Sequence, residues 1–201
     1  MLGVTSVIVL VSGGPGAGKT TLARPLAAAL ALPLLSKDVL KESIYDSLGF
    51  DPGDAAASKL AGSAAMELLW ALAADCPRVV LEANFRPSSD DERRRIAELR
   101  RLTIEVYCAC PVDLASERFV ARAARPGHHG AHPKTLSAAA MAEWNRPLDV
   151  GALIEVDTTA AVDVDQLARR IRTMLGEREV LSPRRSQEGP GRQLPEQMPA
   201  R

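Results

Sequence analysis

The chain has 201 residues, 46% of them hydrophobic and 25% charged, and its formal net charge is zero. That is enough length and apolar content for one domain with a full core, while the balanced charge leaves no global basic field to draw in nucleic acid. The apolar runs are far too short to span a bilayer, and three cysteines, Cys76, Cys108 and Cys110, do not make a disulfide framework.

Residues 7–11, VIVLV, are an unbroken run rich in β-branched side chains and predict a strand buried on both faces, beginning near Thr5. Gly13, Gly14, Pro15, Gly16, Ala17, Gly18, Lys19 and Thr20 follow at once and fit the pattern G-x-x-x-x-G-K-[ST]. The glycines allow backbone angles that a Cβ would forbid, so successive N–H groups can turn inward around an anion. Residues 21–30 predict a helix whose positive N-terminal end, from Thr21, faces the same phosphates. In this pattern Lys19 reaches the β- and γ-phosphates and the Thr20 hydroxyl ligates Mg²⁺. ATP and Mg²⁺ are therefore the expected ligands. No signal pattern precedes the loop, which predicts a cytoplasmic protein.

Residues 33–36 predict a second strand and 37–48 a short helix, with Gly49 near its end. Residues 55–74 predict a longer helix with Leu60, Ala64, Leu68 and Ala71 or Leu72 on its apolar face, stopped by Pro77. A third strand is expected at 78–83. A helix follows from Pro87 to about Arg101, with Asp90, Asp91 and Glu92 in its first turn. The fourth strand, 103–110, carries Cys108 and Cys110 on one face as buried free thiols. A helix at 113–124, a loop at 125–133, a short helix at 135–144, a fifth strand at 152–156 and a last helix at 164–175 complete the pattern. The alternation predicts an α/β fold with a parallel sheet and right-handed crossovers. The Pro-, Gly- and Arg-containing segment 181–201 has almost nothing to bury and predicts a disordered tail. The folded domain is then 1–180.

Ligands of a parallel sheet bind beyond the carboxyl ends of its strands. Asp38 and Lys41 follow the second strand and lie three apart on one side of the next helix. A carboxylate there could take the proton of an attacking hydroxyl, and a nearby cation could hold the acceptor or its phosphate. The same residues would equally serve as a helix cap and a solvated charge. Glu82 ends the third strand and is the candidate for the metal shell, with Asn84 and Arg86 beyond it as candidate readers of the acceptor. Arg118, Arg122 and Arg125 fall on one helical face, ordinarily a solvated one. His128, His129 and His132 suit either a metal site or a hydrated loop.

The glycine loop followed by SKDVLKE resembles the P-loop kinases of the polynucleotide 5′-kinase, zeta-toxin and chloramphenicol-phosphotransferase group, over roughly residues 7–175. The resemblance implies a five-stranded parallel sheet of order 2-3-1-4-5, flanked by helices, with a helical lid around 118–134. It gives Asp38 the acceptor hydroxyl and the role of base, with Lys41 beside it. It also brings Arg122 and Arg125 over the phosphates and sets Arg118 against the adenine. The expected function is ATP- and Mg²⁺-dependent transfer of the γ-phosphate to a hydroxyl of a small molecule. A nucleic-acid 5′-hydroxyl kinase and an NTP-binding regulatory module or slow hydrolase are the alternatives.

Overall fold

The computed structural model describes residues 6–176, so the expected tail at 181–201 and the strand start at Thr5 lie outside the described residues. In chain order the elements are β1 (Val7–Ser12), α1 (Lys19–Leu30), β2 (Leu34–Ser36), α2 (Lys37–Ser47), α3 (Ala55–Asp75) and β3 (Arg78–Glu82). They continue with α4 (Asp90–Glu98), β4 (Leu102–Ala109), α5 (Val112–Ala123), α6 (Ala138–Glu143), β5 (Ala152–Asp157) and α7 (Val164–Met174). The sheet order is β2-β3-β1-β4-β5 and every pairing is parallel. This is the expected fold.

The alternation of β1 explains the two layers. Val9 and Val11 face the side covered by α1 and α7, together with Ile104, Val106 and Ile154. Ile8 and Leu10 face the other side, with Val79, Leu81, Leu69 and Trp70. Successive side chains of a strand point to opposite faces, so a strand covered twice must be apolar throughout. Each such aliphatic side chain contributes roughly 1.5–3 kcal/mol by its burial.

One expectation is corrected at α3. Leu60, Leu68 and Leu72 are exposed, at 61%, 41% and 37%. The buried stripe is instead Ala57, Ala61, Ala65, Leu69 and Ala73, with Trp70 beside it. The small face lets α3 approach its neighbours closely, and Ala57 and Ala61 pack with Tyr45 and Ala131. Helix ends also shift. Arg100 has φ 49° and stops α4 at Glu98. Arg101 then donates to the carbonyls of Ala73, at 2.5 Å, and Ala74, at 2.6 Å, in the last turn of α3, where Ala73 also accepts from the Cys76 N–H at 3.3 Å.

Behind the site, Glu105 of β4 is fully buried. It accepts from the Ser12 hydroxyl at 2.6 Å and from the backbone N–H groups of Leu148 at 2.8 Å and Asp149 at 2.9 Å. A carboxylate in the core thus ties the end of β1 to the approach of β5. Among the described residues no helix is long and apolar enough to cross a membrane.

Candidate active site

Between β1 and α1 the chain makes a cradle of backbone. Gly13, Gly16 and Gly18 have φ of 132°, 82° and 86°, the left-handed region where a Cβ is strained. Space is also closed to side chains there. A Cβ on Gly16 would lie 2.0 Å from the carbonyl oxygen of Ala115 in α5, and one on Gly13 would lie 2.9 Å from that of Cys108 in β4. The loop is thus clamped from two sides. Lys19, 6% exposed, folds back to donate to the Gly14 carbonyl at 2.8 Å. Burial pushes its pKa down, with Glu82 pulling the other way.

Glu82 sits at the end of β3, buried, and joins two strand ends. Thr20 donates to its Oε1 at 3.2 Å and Ser36, the residue before α2, to its Oε2 at 2.5 Å. The two expected metal ligands, Thr20 and Glu82, are therefore in direct contact. Ser36 was not among the expected site residues, although its place just before Asp38 marks it.

Two cavities open from this centre. One, of about 630 Å³, is bounded by the glycine loop, Thr20, Thr21, Glu82, Arg118, Arg125 and the turn after β5. Arg118 donates to the carbonyls of Thr158 at 2.8 Å and Thr159 at 2.9 Å, so it fixes that turn to α5. The second, of about 1210 Å³, lies between α2, α3 and residues 128–136, and it takes in Lys37, Lys41 and Arg86. Asp38, Asn84 and Arg122 border both cavities. Every expected site residue except buried Ala17 and the loop's first two glycines, Gly13 and Gly14, thus lines one chamber or the other.

Asp38 is half-buried, 3.3 Å from the Lys37 ammonium. Burial alone would raise its pKa, but Lys37, His132 and Lys19 together outweigh burial and hold it below the ordinary carboxylate value. It is ionised at neutral pH.

The segment after α5 is tied down by its histidines. His129 Nε2 lies 3.0 Å from Asp46 and His132 Nε2 2.7 Å from Glu42, both on α2. Gly53 N–H donates to the Gly130 carbonyl at 3.4 Å and Ser58 to that of Ala131 at 2.7 Å. Among the described residues no group of three or more His, Cys, Asp or Glu side chains is arranged to hold a metal. Two of the three histidines expected either to bind metal or to be hydrated, His129 and His132, instead pin this segment to α2, whereas His128 lines the second cavity. Ser58 had no signal in the sequence, because its partners Lys41 and Ala131 are brought to it only by the fold.

The chain is similar to several known proteins. A candidate kinase from Chloroflexus aurantiacus is 31% identical, with a TM-score of 0.69 over 85% of this chain and 98% of its own. A gluconokinase from Sinorhizobium meliloti is 18% identical, with a TM-score of 0.56 over 85% of this chain and 96% of its own, and shares the P-loop kinase fold. A cytidylate kinase of Pyrobaculum aerophilum is 47% identical over 45 residues, 22% of this chain and 24% of that protein. The chain spans between 24% and 30% of the length of the curated relatives it matches. Residues 8–148 match the family described as AAA domain. With that match laid over a P-loop kinase fold, the chain belongs to the AAA domain family.

Proposed function

We propose that the protein is a kinase that transfers the γ-phosphoryl group of ATP to a hydroxyl of a small molecule. The observation that carries this reading is the wall of Asp38, Asn84 and Arg122 that two chambers share. A phosphoryl donor on one side and an acceptor on the other would meet there.

The residues fit the expected ligands. The left-handed glycines and Lys19 suit a polyphosphate. The Thr20 hydroxyl and Glu82 carboxylate are hard oxygen donors of the kind Mg²⁺ takes, and they would hold it. Bound there, the ion would supply charge compensation to the phosphates. Asp38 would accept the hydrogen bond of the acceptor hydroxyl, orient its oxygen and receive its proton. Lys19 and Arg122, which both border the first chamber, would offset negative charge as it spreads during transfer. Arg118 and Arg125 belong to the same proposal, as part of a lid over residues 118–134 of a domain at 1–180. So does closer kinship with the polynucleotide 5′-kinase and zeta-toxin group.

A small acceptor is favoured because the balanced charge of the chain offers no track for a polyanion and residues 129–132 form one wall of the second chamber, tied to α2 and α3. The gluconokinase neighbour supports the same choice.

The test is a screen of hydroxyl compounds and 5′-hydroxyl oligonucleotides with γ-labelled ATP. Label is expected on a small molecule. Asp38→Asn should then bind ATP normally and lose transfer by on the order of 10²- to 10⁴-fold. Label found only in inorganic phosphate would make the protein a hydrolase or regulatory module, and label on oligonucleotide ends would replace the acceptor class.

A further inference from the structure

We propose that Lys37 and Lys41 form an anion subsite in the second chamber, so that the acceptor is a hydroxyl compound bearing its own carboxylate or phosphate. This rests on the kinase reading above.

Lys41 is 5% exposed, and its ammonium donates to the Ser58 hydroxyl at 2.8 Å. The Ser58 hydroxyl in turn donates a hydrogen bond to the Ala131 carbonyl at 2.7 Å. An ammonium has three donors, and a neutral hydroxyl satisfies one. Among the described residues no carboxylate lies within ion-pair distance of Lys41. A buried charge without a counter-charge is unfavourable unless something fills that role.

Lys37 points to the same place. A Cβ on Gly62 of α3 would lie 3.7 Å from Lys41 Cε and 4.0 Å from Lys37 Nζ. Two cationic side chains therefore flank one spot above bare helix backbone. Burial, then repulsion from Lys37, brings the Lys41 pKa down to about 8. Asp38 and Glu42 offset this in part, but their short contacts go elsewhere, Asp38 to Lys37 at 3.3 Å and Glu42 to His132 at 2.7 Å. Acids elsewhere around the chamber are also taken. Asp54 caps α3 through Ala56 and Ala57, Glu67 pairs with Arg95 at 2.9 Å, Asp91 pairs with Arg94 and Arg95, and Glu92 accepts from the Arg86 N–H at 2.7 Å. The chamber therefore offers unmatched positive charge beside Asp38.

The spacing limits the ligand. Asp38 and Lys41 are separated by one helical turn, about 5 Å along the axis. Two groups borne by neighbouring turns of one helix suit a compact acceptor that carries a hydroxyl and an acid on one small skeleton, as in a sugar acid or a polyol phosphate.

Calorimetry with the glycine loop filled by Mg²⁺ and a non-hydrolysable ATP analogue tests this on matched pairs: gluconate against glucose, glycerol 3-phosphate against glycerol. At least one acid should bind about tenfold or more tighter than its neutral partner. Lys41→Met and Lys37→Met should erase the preference, and Lys41→Arg should keep part of it. Lys37 is only half-buried, so its variant is informative even if Lys41→Met folds poorly. Preference in one pair alone identifies the acid as carboxylate or phosphate. No preference in either pair, or a preference that survives both substitutions, overturns the subsite. Acid binding that depends on the lysines without any phosphoryl transfer would leave the subsite standing and bring down the kinase reading. Equal transfer to acids and neutral partners would do the reverse.

Discussion

Arg122 and Arg125 stand one turn apart and border different space. Arg122 lies over the Phe119 ring, 5.6 Å from its centre, and touches both chambers, whereas Arg125 reaches only the first. If transfer occurs at the shared wall, the two are not equivalent. Arg122→Ala should lower kcat by about 100-fold, near 3 kcal/mol, the usual worth of one donor to developing charge. Arg125→Ala should cost less and act more on the KM for ATP. Steady-state kinetics of both variants checks this, and unchanged kcat in both would return the helix face to the solvent. Lys41 makes a second prediction at this scale. Its charged form is disfavoured by the fold, with a pKa near 8 against 10.5. The penalty is full below pH 8 and is relieved as pH rises toward 10.5, where the unfolded chain still holds the proton that the folded chain has lost. Lys41→Met should therefore raise stability at neutral pH, and the gain should shrink across that window. Urea denaturation at pH 7 and pH 10 measures it; a gain equal at both would mean that Lys41 is not desolvated.

Among the elements, β4 and α3 show where sequence patterns run out. The glycine loop was legible because its requirements are local: the glycines that need φ above zero and the lysine that answers them lie within eight consecutive residues. Glu105 was not legible, since a lone acid in a strand has the pattern of a half-exposed position. Its partners Ser12 and Leu148 are 93 and 43 residues away in sequence. Burial makes these bonds matter. Removing the carboxylate orphans two backbone N–H groups and a hydroxyl, and hydrogen bonds to charged groups each contribute about 1.5–3 kcal/mol. Glu105→Ala should cost about 3 kcal/mol or more in chemical denaturation, and Glu105→Gln less. A loss under about 1 kcal/mol would mean that solvent takes the place of the side chain. The face of α3 failed for another reason. This helix is apolar nearly all round, so a period of 3.6 fits two faces equally. Packing selected the buried stripe, with Ala57 and Ala61 against Tyr45 of α2 and Leu69 and Ala73 against β1 and β3.

Across the whole molecule, one geometric rule made the site readable. The phosphate loop, Asp38 and Thr158 follow the carboxyl ends of β1, β2 and β5, and Glu82 is the last residue of β3. In a parallel sheet those ends share one edge, so residues scattered over more than a hundred positions converge. What strand order cannot specify is how the chain between β4 and β5 lies across that edge. His129 and His132 decide it by reaching Asp46 and Glu42, a pairing with no local signature. The wall of Asp38, Asn84 and Arg122 has a thermodynamic consequence of its own. A ligand that shifts any of these side chains from one chamber alters the shape and charge of the other. The coupling must be reciprocal: whatever factor one ligand applies to the dissociation constant of the second, the second applies to the first. An acceptor that tightened nucleotide binding tenfold would itself be held tenfold more tightly once the nucleotide was in place.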